Sequence, residues 1–271
     1  MSQNSTAADR PGIVTLTTDF GVQDGYVGAM KGVVLEIAGS VTVVDITHEI
    51  PPQDVEAGAY IFHTAYPHFP DGTIHVVVVD PGVGRKRRGL VVETARYRFV
   101  GPDNGVFTPV FQAEADCRMV SLENPEWMRK DVSATFHGRD VFAPAAGYLC
   151  QGVEIEAFGP FVTDPVMLDV WAVREEADRL TGRIVHVDRF GNGISNLSEE
   201  QVEAAVEGRV VEIGGQIFHR IHRTYGDVVQ GEPLLLYGSQ GTLEISVNGG
   251  SAAEEMGVQR GDEVRLIGKD R

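Results

Sequence analysis

The stretch that most constrains this chain is "TIHVVVVD", Thr73–Asp80, an apolar run with almost no polar alternation. A strand with one wet face alternates apolar and polar residues, so an unbroken run asks for cover on both faces. That cover comes from helices crossing over between parallel strands, and helical segments must therefore flank the run in sequence. "IVTLTTDF" predicts a first strand ending at Asp19, and "VTVVDI" a second. Between them "DGYVGAMKGVVLEIAG" predicts a helix with Asp24 as N-cap and Gly39 as stop. "QDVEAGAYIFHTAYPHF" predicts a second helix after Pro51-Pro52, and "GLVVETARYRFVGP" a hairpin or two short strands. "GVFTPVFQAE" and "GRDVFAPAAGYLCQG" predict shorter helices. The expected fold of residues 11–168 is an α/β domain with a mainly parallel central sheet.

From about Arg179 the texture changes to short strands separated by Gly, Asn and Asp turns, in "TGRIVHVDRFGNGISNLS", "RVVEIGGQIFHRIH", "PLLLYGSQGTLEISVNGG" and "DEVRLIG". This predicts a smaller all-β, barrel-like C-terminal domain over 176–271, with the boundary inside "TDPVMLDVWAVREEADRL". The net charge of -16 argues against nucleic-acid or anionic-membrane partners. The N-terminal "MSQNSTAADRPG" lacks the basic start and apolar core of a signal peptide, and no apolar run approaches the ~20 residues of a membrane span. A cytoplasmic location is the expectation. Cys117 and Cys150 are too isolated for a zinc site or disulfide framework and read as buried free thiols.

Ligands of parallel α/β sheets bind beyond the carboxyl ends of the strands. Asp19 and Asp80 fall at two such ends, Asp103-Asn104-Gly105 follows a third strand, and His137 of "TFHGRD" precedes a helix. Singly, each has an ordinary reading: Asp19 and Asp80 as turn formers, Arg87 as a solvated charge, His137 as a loop histidine. In the second domain "VDRFGNGISN" reads equally as a bulge with turn residues or as a ligand face of Asp188, Phe190, Asn192 and Asn196. Other chemistries fail on spacing. "GVGRKRRG" is not a dinucleotide fingerprint, and no phosphate-loop GK[ST], HExxH or paired CxxC occurs. His219 and His222, three apart in a predicted strand, point to opposite faces and cannot share a metal. Ser239 of "YGSQG" lies among predicted strands, not at a strand-to-helix elbow.

Taken in order, "TTDFGVQDGYVGAMKG", "DITHEIPPQDVEAGA", "VVDPGVGRKRR", "GPDNG", "TFHGRD", "VDRFGNGISN" and "GSQGTLEISVNGG" resemble the S-adenosyl-L-methionine (SAM) hydroxide adenosyltransferases, relatives of the fluorinating and chlorinating enzymes. The resemblance runs from about Ile13 to Gly268. It implies hydrolysis of SAM to adenosine and L-methionine, with no metal and no organic cofactor. It also implies a homotrimer whose active sites lie between the first domain of one subunit and the second of its neighbour. Asp80, Arg87 and His137 match the family's catalytic Asp-Arg-His set. Asp19 matches the carboxylate on the ribose hydroxyls, Asp24 lies toward the methionine end, and Tyr26 occupies a variable position. Asp188 and Ser239 match groups on the amino-acid portion, and Asn192 an adenine contact with Phe190 packing beside it. The backbone at Asn248 and Gly249 is expected to face the base. Val247 stands where fluorinating relatives carry arginine, and "GLVVETARYRFVGPDNG" runs through without the extra loop of halogenating relatives. Gly138 matches a glycine of chlorinating members and does not discriminate. The alternatives implied are a halide-using adenosyl transferase and a non-catalytic SAM or adenosine sensor.

Overall fold

The structure, a computed structural model, describes residues 12–176, 179–205 and 209–268. The chain divides into two compact units between Leu168 and Asp169.

The first unit is built on six strands: β1 (Gly12–Thr18), β2 (Val41–Thr47), β3 (Ile74–Val78), β4 (Gly89–Glu93), β5 (Arg98–Pro102) and β6 (Arg118–Ser121). Their order is β2-β1-β3-β5-β4-β6. β1 pairs in parallel with β2 and β3, and β3 with β5, while β4 runs antiparallel to β5 and β6. Helices α1 (Tyr26–Ala38) and α4 (Ala143–Cys150) share one core with Val14, Leu16, Val76 and Val78. On the opposite face Phe62 of α2 (Val55–Ala65) meets His75 and Phe99, and Phe107, at the start of α3 (Thr108–Ala113), meets Phe99. Both faces of β3 are thus covered, which is why its sequence does not alternate. The mainly parallel sheet and the hairpin are as the sequence predicts; β6 is additional.

α1 buries Val27, Met30, Val33 and Val34 along one stripe and stops at Gly39, whose φ of 71° suits glycine. Its N-cap, however, is Gly25 and not Asp24, and no side chain caps it, because the turn begins one residue later than the Asp signal suggests. Cys117 and Cys150 are free but only half-buried; burial still raises both thiols, Cys150 to about 11.

In the second unit β7 (Arg174–Glu176), β8 (Arg179–Val187), β9 (Gly193–Ser198), β10 (Arg209–Ile213), β11 (Gln216–Phe218), β12 (Ile221–His222), β13 (Pro233–Tyr237), β14 (Thr242–Val247) and β15 (Glu263–Gly268) make a curled, nearly closed barrel-like sheet. The path is β11-β10-β15-β8-β9-β14-β13-β12, with β7 on β8. The first half of β8 pairs with β15 and the second half with β9, so this strand turns the sheet on itself. Leu180, Ile184, Leu197, Leu235, Ile245 and Leu266 fill its core. Two short helices the turn pattern concealed, α5 (Glu199–Ala205) and α6 (Ala252–Met256), interrupt the strands. His219 and His222 do not share a strand: β11 ends at Phe218 and β12 begins at Ile221.

Candidate active site

β3 ends at Val78, and the chain then turns through Asp80-Pro81-Gly82-Val83-Gly84 before entering β4. The turn is tied by Val83 N–H donating to the Asp80 carbonyl (3.2 Å) and Arg85 N–H to that of Gly82 (3.1 Å). Gly84 has φ of 72°, and a Cβ there would lie 2.2 Å from the Ala134 carbonyl oxygen. Only glycine lets this turn lie against the segment leading to His137.

The consequence is a three-membered cluster. Arg87 Nε donates to Asp80 Oδ1 and Oδ2 at 2.9 and 3.0 Å, and its Nη2 also donates to Oδ2. The same Nη2 donates to His137 Nδ1 at 2.9 Å. The Asp80 and Arg87 side chains are only 5% and 12% exposed, so the pair is shielded from solvent. The guanidinium also lies over the Phe142 ring, 5.1 Å from its centroid. A guanidinium has no acceptor, so His137 Nδ1 must accept, and the proton of the neutral ring sits on Nε2. Burial holds His137 below the usual imidazole range; Arg87 adds to this, and Asp80 and Asp140 oppose it. The set thus offers an acceptor carboxylate beside a neutral N–H donor.

Asp80 and His137 line a cavity of about 300 Å³ together with Asp19, Phe20, Tyr26 and Gln53. Phe20, Tyr26 and Phe136 form an edge-to-face trio there, with centroids 5.2 to 6.0 Å apart. Burial raises the Asp19 carboxyl, the nearby Asp80 adds to this, and the Gln53 N–H, 2.7 Å from Oδ2, pulls the other way. Gln53 reaches it through a φ of 66°, a costly conformation for a residue with a Cβ. Asp24 is exposed and lies outside this cavity. The Asp103–Asn104 cluster is structural: Asp103 pairs with Arg88, and Asn104 Nδ2 donates to the Val79 carbonyl at 2.8 Å. A larger, more open groove of about 850 Å³ runs beside α1 and α4, but none of the cluster residues lines it.

Sequence reasoning missed two supports of the cluster. Asp140, fully buried, accepts from Arg139 Nε (2.7 Å), Arg139 Nη2 (2.8 Å) and Ser133 N–H (2.8 Å), fixing the segment that carries His137. Gln53 is the other, and nothing in "PPQD" signals its backbone role.

In the second unit Asp188 organises its own loop. Oδ1 accepts the N–H groups of Phe190 and Asn192, both at 2.9 Å, and Oδ2 the Asn192 side-chain amide at 3.1 Å. Asn192 is buried, whereas Phe190 is 75% exposed. Asn196 instead binds within its own unit, accepting the Arg183 N–H and donating to the Ala172 carbonyl. Ser239 occupies the turn between β13 and β14. The Asn248 side chain donates to the Val228 carbonyl, and its own N–H and C=O pair with Glu232 and Gly231. Gly249, with φ of 71°, follows. Also missed was Tyr225: its hydroxyl donates to buried Glu244 at 2.8 Å, and burial with the charges of Glu244 and Asp188 raises it to about 12.

Comparison with known proteins now decides the family. Residues 14–159 match the SAM hydroxide adenosyltransferase N-terminal domain and residues 182–265 its C-terminal domain. The chain belongs to the SAM hydroxide adenosyltransferase family. Within it, the chain is 40% identical to a Salinispora tropica protein named (R)-S-adenosyl-L-methionine hydrolase, over 93% of this chain and 97% of that one. A Thermus thermophilus protein of the same name is also 40% identical, over 94% and 99%. A crystal structure of an uncharacterized conserved protein from Thermotoga maritima superposes with a TM-score of 0.84 at 35% identity, covering 94% of this chain and 99% of that one. A fluorinase of Nocardia brasiliensis is more distant, 25% identical over 97% and 99%.

Proposed function

We propose that this protein is an enzyme that hydrolyses SAM to adenosine and L-methionine. The observation carrying this reading is the shielded Asp80–Arg87–His137 cluster at the tip of β3, in a chain whose 40%-identical relatives are named SAM hydrolases. Water attacks the ribose C5′ in line with the sulfonium. The C5′–O bond forms, the C5′–S bond breaks, and its electron pair leaves on a neutral thioether. His137 Nε2–H orients the water oxygen, Asp80 accepts the proton that the water loses on attack and afterwards releases it to solvent, and Arg87 holds both groups in register. Positive charge on sulfur vanishes as the carboxylate takes the proton, and the shielding of the Asp80–Arg87 pair from solvent favours that loss of charge. Alignment of water and C5′ supplies several kcal/mol more, ~7 at the low end for well-oriented groups.

Asp19 holds the ribose hydroxyls, and Tyr26 lines the same cavity, whereas the exposed Asp24 lies outside it. Asp188 and Ser239 bind the amino-acid portion; Asn192, Phe190 and the backbone at Gly249 hold adenine, the N–H and C=O of Asn248 being taken up by Glu232 and Gly231. The working form is a homotrimer, and light scattering at assay concentration checks it. Among the described residues no group of three or more His, Cys, Asp or Glu could hold a metal ion. The chemistry asks for none, and dialysis against a chelator should leave the rate unchanged.

Incubation of the purified protein with SAM, with and without chloride, tests the reading. Adenosine is the expected product. 5′-Chloro-5′-deoxyadenosine would make it a halide-using transferase, and saturable binding of intact SAM a sensor.

A further inference from the structure

The stretch "DITHEIPPQDVEAGA" carries part of the family resemblance, yet its histidine has no part in the chemistry above. His48 follows β2 and is only 4% exposed. Its ring Nδ1 lies 2.8 Å from Thr18 Oγ1, and its carbonyl oxygen accepts the Gly21 N–H at 2.8 Å. One residue therefore grips both ends of the Thr18–Gly21 strap that presents Asp19. The strap is also tied internally, by Phe20 N–H donating to Thr18 Oγ1 at 3.2 Å. Behind the ring, Asp45 Oδ1 lies 3.0 Å from Nε2, off the axis of its N–H, and Asp45 Oδ2 accepts from Lys31 Nζ at 2.5 Å.

The proton inventory sets a direction. Asp45 is acceptor-only, so the proton of the neutral ring belongs on Nε2. With that proton on Nε2, Nδ1 is an acceptor, so the Thr18 hydroxyl donates to it while accepting from Phe20 N–H. Thr18 is completely buried and cannot touch a ligand. Whatever the chain Lys31–Asp45–His48–Thr18 does, it does through the strap. Gln53 N–H sets the roll of the Asp19 carboxylate, and His48 sets the backbone from which that carboxylate projects.

We infer that His48, backed by Asp45 and Lys31, is a positioning residue that aligns Asp19 with the two ribose hydroxyls of the substrate. The inference rests on the nucleoside reading of the cavity, not on turnover. A carboxylate accepts two vicinal hydroxyls in one orientation only, so a strap free to rock loses part of that grip while the rest of the ligand still binds.

The test is equilibrium binding of adenosine and of 2′,3′-dideoxyadenosine to the full chain and to Thr18→Val, Thr18→Ser and His48→Asn, each with a thermal melt. The parental chain should prefer adenosine. Thr18→Val should cut that preference about tenfold or more with little change for the dideoxy compound. Thr18→Ser should restore it, and His48→Asn, which keeps an acceptor near Nδ1 but loses Asp45, should fall between. Should Thr18→Val not fold, the same ratio for Asp45→Asn decides. A parental ratio in Thr18→Val and His48→Asn, whatever their melting points, overturns the inference. Equal binding of both nucleosides by the parental chain overturns it together with the ribose role of Asp19. A nucleoside preference that tracks the strap in a chain that leaves SAM intact supports the inference while refuting the hydrolase.

Discussion

The two units hold their candidate residues in opposite ways. In the first, contacts among Asp80, Arg87 and His137 bridge sequence gaps of seven and fifty residues, and their ion pair is nearly sealed. In the second, Asp188 binds groups two and four residues away, and the aromatic ring it positions stands 75% exposed. The first set exists only because the fold is formed; the second is a turn that organises itself. Chemistry that must align a water needs the rigidity of the former. Recognition of a flat base needs only a presented surface. Substitutions in the first set should therefore damage catalysis and stability together, and those in the second binding alone.

Asp80→Ala should show the largest effect. Adenosine release should fall roughly 10³-fold, within the range of positioned proton-transfer groups. SAM binding should change only a few-fold, as measured by calorimetry on the same preparation. The variant leaves Arg87 shielded without its carboxylate, which costs about 3–5 kcal/mol in buried pairs. The low end is expected, because Phe142 and His137 still contact the guanidinium. Turnover at the parental rate would remove Asp80 from the mechanism.

Gly84→Ala comes next and tests the fold-dependence directly, since it deletes no functional group. Its Cβ cannot share space with the Ala134 carbonyl, and its positive φ opposes any side chain. A loss of roughly 2–3 kcal/mol is expected, the scale of overpacking. The rate should fall as well, because the turn can no longer hold Arg87 against His137. Normal kcat with a lowered melting point would show that the cluster tolerates loosening.

These two residues also mark what the sequence discloses. The place of Asp80 was legible because a strand buried on both faces ends close to where its apolar run does, and Asp80 follows β3 by two residues, beyond the carboxyl end of that strand. The parallel sheet and the strand-rich second unit were legible for the same reason: period and turn chemistry are local. Gln53 was not, because what it contributes is a backbone N–H aimed by a left-handed φ, and side-chain identity does not encode that. Nor was β6, whose four residues acquire strand character only by pairing with β4. Asp24 misled because an Asp near a helix start resembles a cap, while the helix begins beyond its reach. Before the family resemblance, Arg87 was one of four consecutive basic residues, and only the turn decides which of them meets Asp80.

Acid should sharpen the contrast further. His75, sealed between Phe62, Tyr66, Tyr97 and Phe99, is depressed by burial to about 3; burial also lowers His63, and it is the largest cause lowering His137. All three lie in the first unit. The unfolded chain takes up these protons near pH 6.5 and the folded chain does not, so stability falls as pH falls through that window. His75 alone should cost about 1.4 kcal/mol per pH unit between 6.5 and its folded value. Calorimetry at pH 7.5, 6 and 5 measures the slope. His75→Phe should flatten it, even though it also removes the bond to Thr15. An unchanged slope would mean that His75 is not the group responsible.

Phe190→Ala should be the mildest change and the most telling about the second unit. The bond from Phe190 to Asp188 is made by the backbone N–H, so alanine keeps the loop and loses only the ring. Stability should stay within about 0.5 kcal/mol, as for other exposed positions. KM for SAM should rise about tenfold with kcat held, because an aromatic face that packs on adenine contributes equally to ground and transition states. Phe190→Trp should retain most of the affinity. A fall in kcat comparable to that of Asp80→Ala would break the contrast: this loop would then take part in aligning C5′, and a self-organised turn would be sharing work assigned to the fold-dependent cluster.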